Sequence, residues 1–389
     1  MYNYIPLEQA ADILDSYRKP VNSKERLNLI KGKPLDELFP YYGATGQVGW
    51  IDSFLTDGEY ILLGEDGAPF LNPYAEKAYI IYGKTWVNNH AHILRSKTNN
   101  EFLCYYLNYF NYKNYVSGTT RLKLTQAQMR KIPIPNIPSD EQSRIVAHIE
   151  ELFSELDKAV GTLKTIKEQL DVYRQAVLVD IFSQEHPLRQ LKEISVALSG
   201  FAFKSKNYTP DGKYTVIKIG NVKDGYLDFS RDKTRTNEVT DRILQKYLLK
   251  QGDCLITLTG TRGKRDYGFV SMIERQTDYL LNQRVAALRF DTMIALPEFF
   301  RYYLSSLNYR NQFFKYETGN VGQGNVGIKA LCEPAVPCPP LDTQKKIVDQ
   351  ISDRLSVCDS IEKTVDTALA QADAMRQSIL KQAFEEGIV

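Results

Sequence analysis

Residues 133–182 match residues 335–384 at a constant offset of 202, with 17 identities in 50 positions. Ordinary composition gives about 3 by chance. Pro135, Pro138, Asp140, Gln142, Ile145, Val146 and Ile149 recur as Pro337, Pro340, Asp342, Gln344, Ile347, Val348 and Ile351. The register holds to the end, where Arg174, Gln175, Leu178 and Phe182 answer Arg376, Gln377, Leu380 and Phe384. A chain that carries one long element twice must satisfy the same packing requirements twice, and this restricts it to folds with two like parts.

A second block lies upstream. Glu101-Phe102-Leu103-Cys104-Tyr105-Tyr106-Leu107 returns at offset 197 as Glu298-Phe299-Phe300-Arg301-Tyr302-Tyr303-Leu304. Further back, Gly58, Asn88 and Leu94 meet Gly252, Asn282 and Leu288 at offset 194. Offsets that grow steadily toward the C-terminus describe a duplicated unit of about 200 residues with small insertions, since solenoid periods are only about 20–50 residues. The 389 residues, 43% hydrophobic, suffice for two cores.

The repeated block reads as a helix. Ile145, Ile149, Leu152, Leu156, Ala159, Leu163, Ile166, Leu170, Tyr173 and Val177 alternate steps of three and four, a heptad seam. The second copy continues it through Ile347, Ile351, Cys358, Ile361, Val365, Ala368, Ala372, Met375 and Ile379, broken by Arg354. Proline clusters precede each copy and set sharp starts, with Ser139 or Asp342 as the expected cap. A helix over 140–183 is about 65 Å long at 1.5 Å per residue and needs a partner along its length. The other copy, antiparallel, is the expected one. Pairing is expected through Ile145, Ile149, Leu156, Leu163, Ile166 and Leu170 on one helix and Ile347, Ile351, Ile361, Val365, Met375 and Ile379 on the other. The expected division is a globular domain over 1–139, a long helix over 140–184, a second globular domain over 185–339 and a second long helix over 340–389.

Charge follows the same division: +2, −4, +7 and −3 for the four segments in turn. Basic globular parts and acidic helical arms point to a polyanion held by the former and a protein partner held by the latter. In the second domain, Arg262, Lys264 and Arg265 sit in a glycine-punctuated loop after the strand-like run from Cys254, where glycines allow close backbone approach. Arginine is suited to bidentate contact with guanine. Lys204 and Lys206 are further candidates, as are Arg121 and Lys123 in the first domain, whose counterpart in the second is the glycine-rich stretch 318–327. Tyr42 and Thr45 lie in another polar, glycine-containing turn. The matched Tyr105-Tyr106 and Tyr302-Tyr303 pairs read instead as helix core. The segments that differ most between the halves, 20–57 and 200–250, are where each domain's individuality is expected.

Catalytic signatures are missing from this sequence. Gly322 to Gly327 matches GxGxxG, but prolines follow where a dinucleotide-binding helix and strand belong, and there is no phosphate loop, HExxH or GxSxG. His90 and His92 alternate as on a strand face with no third metal ligand nearby, so structural roles and no metal site are expected. Five scattered cysteines form no CxxC pair and read as reduced structural thiols. Neither a secretory leader nor a membrane-spanning run is recognisable, which suggests a cytoplasmic protein.

The order of these parts, together with the proline clusters leading into Asp140-Glu141-Gln142-Ser143-Arg144-Ile145-Val146 and Asp342-Thr343-Gln344-Lys345-Lys346-Ile347-Val348, resembles the specificity (S) subunit of Type I restriction-modification systems over essentially the full chain. The resemblance implies two α/β target-recognition domains, two long antiparallel helices forming a coiled coil, and an internal pseudo-twofold repeat. It implies that each domain reads half of a split double-stranded DNA target. It further implies that the helices dock two methyltransferase subunits and that motor-nuclease subunits can join. S-adenosylmethionine and ATP would then belong to those partners, and this chain would be non-catalytic. A fused methyltransferase and a pure coiled-coil adaptor are the alternatives from other classes.

Overall fold

The architecture was examined in a computed structural model that describes residues 3–386 apart from residue 321. Val321 of the glycine-rich stretch and the last three residues of the 340–389 segment lie outside the described residues. The chain forms two compact units, residues 1–165 with 365–389 and residues 166–364, so the division falls midway along each long helix.

Each unit is built on the same antiparallel sheet. In the first, β1 (Ala11–Ile13), β2 (Tyr60–Gly64), β3 (Ala78–Ile81) and β4 (Ala91–Ser96) lie in the order β1-β4-β2-β3. In the second, β5 (Ser195–Ser199), β6 (Cys254–Thr257), β7 (Val270–Met272) and β8 (Val285–Phe290) repeat it as β5-β8-β6-β7. The central strands β2 and β6 are buried along their whole length because both faces are covered. Alternation then sorts them: Ile61 and Leu63 join the core beneath the helices, whereas Tyr60 and Leu62 join a second cluster on the opposite face. Cys254 and Ile256 divide from Leu255 in the same way.

A short helix covers each sheet, α1 (Asn100–Tyr109) in the first unit and α3 (Pro297–Ser305) in the second. Asn99 caps α1 by accepting from the Phe102 N–H at 2.7 Å, and α3 starts on a proline that needs no donor there. Tyr106 and Tyr303 are buried as the matched pairs suggested. The long helices are α2 (Ser139–Ile181) and α4 (Leu341–Lys381). Each unit takes the start of one and the end of the other. Ile145 and Ile149 share the first unit's core with Leu380 and Phe384, and Ile347 and Ile351 share the second's with Val177 and Phe182.

The two helices are antiparallel within each unit. In the second, Arg174 meets Asp359 at 2.6 Å and Arg354 meets Asp180 at 3.1 Å, the partner number falling as the first rises. In the first, Arg376 pairs with Asp157. Arg174 and Arg376, and Asp157 and Asp359, are the duplicated Arg and Asp of the repeat, so these recurring charges pair crosswise with each other. The recurring glutamines have a comparable role. Gln142 is buried and donates to the Ile137 carbonyl at 2.8 Å, and Gln344 donates to that of Pro339 at 2.7 Å, so each satisfies a carbonyl of its proline-rich lead-in.

Two expectations need correction. The first helix begins at Ser139, the expected cap itself, and the second at Leu341, one residue before Asp342. Their first-turn amides are accepted by the carbonyls of Pro138 and Pro340, so neither Ser139 nor Asp342 stands outside the helix as a cap. The seam of α4 also runs differently. Ile351, Cys358, Val365 and Ala372 are buried, but the intervening half-buried positions are Leu355, Glu362, Leu369 and Arg376, while Ile361 and Met375 are exposed. At Glu362 and Arg376 the step from the buried residue is therefore four, not three, because these side chains reach Arg174 and Asp157, whereas after Val365 both Ala368 and Leu369 are half-buried. Apolarity alone pointed to the neighbours. The other named pairing residues, Leu156, Leu163, Ile166, Leu170 and Ile379, are half-buried or buried.

Individuality resides in the second sheets. The first unit has four strands there, Phe39–Gly43, Gly46–Ile51, Thr56–Asp57 and Lys84–Val87; the second has three, Tyr214–Ile217, Arg235–Thr236 and Tyr279–Leu281. All five cysteines are buried and unpaired, and burial pushes the Cys104 thiol up to about 12.

Candidate nucleic-acid interface

In the second unit the candidate residues meet at the end of the sheet where β6 finishes and β8 begins. Leu258, just past β6, donates its N–H to the Arg284 carbonyl at 2.9 Å, so the loop entering β8 abuts the loop leaving β6. That second loop carries Arg262, Lys264 and Arg265. Thr259–Gly260 pairs with Gly324–Asn325, and the Arg262 guanidinium donates to the Gly319 carbonyl at 2.8 Å, which brings the glycine-rich stretch alongside. The segment after β5 joins them because Phe201 bridges to Asn282 and accepts from the Gln283 N–H at 3.0 Å. Lys204 and Lys206 are exposed on it. Five basic side chains, Lys204, Lys206, Lys264, Arg265 and Arg284, thus gather on loops at one sheet end, exposed and forming no salt bridge among the described residues.

The shape of the Arg262–Arg265 loop is held from below. Asp266 accepts from the Thr261 N–H at 2.6 Å, and this bond holds its carboxyl below the usual range. Arg310 donates to the carbonyls of Arg265 and Tyr267 at 3.3 and 3.2 Å, lies over the rings of Phe269 and Phe314, and faces Asp224 at 3.7 Å. Burial lowers the Arg310 guanidinium against the opposing pull of Asp224, and burial raises the Asp224 carboxyl. Arg265 itself has φ of 50°, and its guanidinium lies over Phe314 at 5.0 Å.

The first unit repeats the geometry with different electrostatics. Leu124 donates to the Glu65 carbonyl at 2.7 Å, Gly67 to that of Leu122 at 3.0 Å, Glu65 to that of His90 at 2.7 Å, and Asn88 to that of Tyr42 at 3.1 Å. The candidates Tyr42, Thr45, Arg121 and Lys123 are thereby brought to the end of β2. Gly64 is required there, since a Cβ would stand 2.4 Å from that of Ala68. In the second unit Arg262 faces Glu317 at 3.9 Å while the other candidates form no salt bridge among the described residues; here both cations face acids, Arg121 pairing with Asp66 and Lys123 lying 3.2 Å from Glu65. Tyr42 is half-buried against Tyr79, so most of its ring is core, whereas Thr45 is exposed at the turn.

The two histidines act inside this cluster. His92 is wholly buried and bonded at both ring nitrogens, Nδ1 to Asp15 at 2.7 Å and Nε2 to the Leu124 carbonyl at 3.0 Å. Burial raises the Asp15 carboxyl, but the hydrogen bond and charge of His92, with donors from Gln126 and the Ile93 N–H, outweigh it and leave the group lowered. His90 Nδ1 lies 3.0 Å from Asp66. His92 therefore braces the loop that carries Arg121 and Lys123, and His90 lies beside the Asp66 that pairs with Arg121. No group of three or more metal-ligating side chains is present among the described residues.

Sequence reasoning missed Arg284, Arg310 and the Asp15–Glu65–Asp66 acids. Only the offset of 194, which sets Arg284 opposite His90, marked any of them. A separate concavity of about 980 Å³ in the first unit is lined by Phe70, Lys77, Tyr109 and Phe384 among others and by none of the candidate residues. Lys77 there is buried, and desolvation lowers its ammonium to about 8. No helix among the described residues is long and apolar enough to cross a membrane.

A family model described as the type I restriction modification DNA specificity domain matches residues 9–170 and again 185–371. A putative type I restriction enzyme specificity subunit, S.HindORF215P of Haemophilus influenzae, is 26% identical over 94% of this chain and 91% of its own. The EcoKI specificity subunit of Escherichia coli is 25% identical over 73% of this chain and 64% of its own. A solved chain, from work on complex assembly and conformational transition of the type I R-M system, superposes with a TM-score of 0.66 at 16% identity, covering 100% of this chain and 98% of that one.

Proposed function

The chain belongs to the type I restriction-modification DNA specificity family, and on that premise we propose that it reads a split double-stranded DNA target, one half through each unit's loop cluster, and carries no catalytic site of its own. The observation that supports this reading is the convergence of basic loops at the equivalent sheet end in both units, with Arg262, Lys264, Arg265, Lys204 and Lys206 in one and Arg121, Lys123, Tyr42 and Thr45 in the other. Loops projecting from a rigid sheet end can enter a groove, and arginines there can combine phosphate and base contacts.

In this proposal the recognition domains are residues 1–139 and 185–339, and the helical segments 140–184 and 340–389 dock two methyltransferase subunits and space the two readers. Those subunits supply S-adenosylmethionine and modify adenine. Two motor-nuclease subunits that use ATP can join this assembly, which works in the cytoplasm. Exposed apolar side chains on the helices, Val172, Tyr173, Val357, Ile361 and Met375, support a protein partner there.

The test is co-expression with the cognate methyltransferase in a methylation-free host, followed by long-read mapping of modified adenines. A split motif with a fixed gap is expected. Absence of modification from a properly assembled complex would remove the reading.

A further inference from the structure

Among the described residues, the only two non-glycine residues with positive φ are exposed arginines at this sheet end, Arg265 at 50° and Arg284 at 70°. Such a backbone is unfavourable for a side chain with a Cβ, and it persists where the surroundings impose it or function requires it. For Arg265 the surroundings suffice, because Arg310 bonds its carbonyl and Phe314 lies beneath its guanidinium. Arg284 shares only the backbone part of that support, its carbonyl accepting from the Leu258 N–H at 2.9 Å, and among the described residues nothing holds its side chain. It occupies the third position of the turn from Asn282 to Val285, closed by the Val285 N–H on the Asn282 carbonyl at 3.3 Å, a place where positive φ favours glycine. Its side chain is exposed and makes no hydrogen bond, ion pair or ring contact among the described residues.

The internal duplicate provides the comparison. Asn88 occupies the place of Asn282, and its side-chain Oδ1 accepts the N–H of His90, two residues on, at 2.7 Å. Arg284 takes the place of His90. With the backbone turned to positive φ, that bond is not made, and Asn282 Oδ1 is buried without a partner. The second unit therefore bears both a strained residue and an unsatisfied buried oxygen that the first unit avoids, and both serve to present one arginine. The carbonyl of residue 284 still accepts from Leu258, as that of His90 accepts from Glu65, so the loop root is unchanged and only the direction of the side chain differs.

We infer that Arg284 is a specificity-determining residue that contacts a guanine in the half-site read by the second unit. The inference rests on the DNA-reading function proposed above. A guanidinium presented by a rigid turn, free of acidic neighbours, suits the paired acceptors O6 and N7 of guanine in a major groove. Presentation at fixed angle explains why the turn retains arginine where glycine would relax it.

The experiment uses the full chain assembled with its methyltransferase, as wild type, Arg284→Ala and Arg284→Gly, with the modified motif mapped and the melting midpoint recorded. The wild-type motif should contain a guanine whose requirement Arg284→Ala abolishes at that position alone, with cognate methylation slowed roughly tenfold or more and the other half-site unchanged. Arg284→Gly should relax the same position and melt a few degrees above wild type, since glycine removes the strain. An unchanged motif in both variants would overturn the inference, as would an equal loss on all sequences, which marks a phosphate contact. A Gly variant that melts no higher than the Ala variant would overturn the strain argument. If the wild type itself yields no split motif, the proposed function fails and the inference with it.

Discussion

Gln344 donates its side-chain Nε2 to the carbonyl of Ile294 at 2.8 Å, tying the first turn of α4 to the segment that leads into α3. The same nitrogen donates to Pro339, and the side-chain oxygen accepts from the Leu296 N–H at 2.8 Å. Gln344 is fully buried, so replacement by leucine leaves backbone groups of three residues without this partner. Gln344→Leu should destabilise the protein by about 3 kcal/mol in urea unfolding. Lys345→Leu, on the exposed side of the same turn, should change it by less than about 0.5 kcal/mol.

Asp253 is wholly buried and gripped by Arg289 through two bonds of 2.7 and 2.6 Å, with a third from the Lys250 N–H at 2.8 Å. Arg289→Leu would leave that carboxylate with a single donor, at a cost of about 3 kcal/mol once the partial exposure of Arg289 is discounted. Replacing both residues by leucine should restore part of the loss. An additive double variant would show that the two side chains do not act as a pair.

Asp15 is held below its ordinary range despite burial, which by itself would raise it. A carboxylate depressed in the folded state contributes stability above its unfolded value, and that contribution is lost as pH falls through the folded one. The first unit should therefore weaken below about pH 4. Asp15→Asn, which has no proton to gain, should be less stable at neutral pH and show a flatter acid limb. An identical acid limb in tryptophan fluorescence, read at Trp50 and Trp86 of that unit, would remove Asp15 as its source.

The two loop clusters differ in how their arginines are engaged, and their substitutions should differ accordingly. Arg265→Ala removes a cation with no acidic partner, so DNA affinity should fall and the salt slope should flatten by about one charge. Arg121→Ala also frees Asp66, so affinity should fall further at low salt than at high salt, where the freed acid is screened. Neither change should alter the half of the methylated motif read by the other unit.

Because α2 and α4 pair antiparallel within each unit, lengthening one helix alone mismatches them. Inserting one heptad into both, after Thr165 and after Thr364, adds about 10 Å of helix and restores the seam. The proposed spacing role then predicts a methylated motif with its gap widened by about three base pairs and its half-sites unaltered. A single insertion of seven residues in α2 should instead impair assembly, seen as loss of co-purifying methyltransferase.

The long helices were legible because a heptad is a local signal: Ile145, Ile149, Ile347 and Ile351 announce their burial through their own spacing. The same reasoning erred at Ile361 and Met375, where the side chains entering the seam are the charged Glu362 and Arg376, placed there by Asp157 and Arg174 on the facing helix. Apolarity carries no information about a partner's charges.

Duplication, the extents of α2 and α4, the split of basic domains from acidic arms and the absence of catalytic signatures were all determined by the sequence by itself, because each depends on composition or on short-range period. Which loops meet was decided only by the tertiary structure. Arg284, Arg262 and Lys204 are separated by twenty to eighty residues, and they come together because the ends of β5, β6 and β8 fall at one edge of an antiparallel sheet. The unequal fates of Asn88 and Asn282 follow from the same cause, for the backbone at residue 284 is set by strand register and turn closure, neither of which a linear pattern contains.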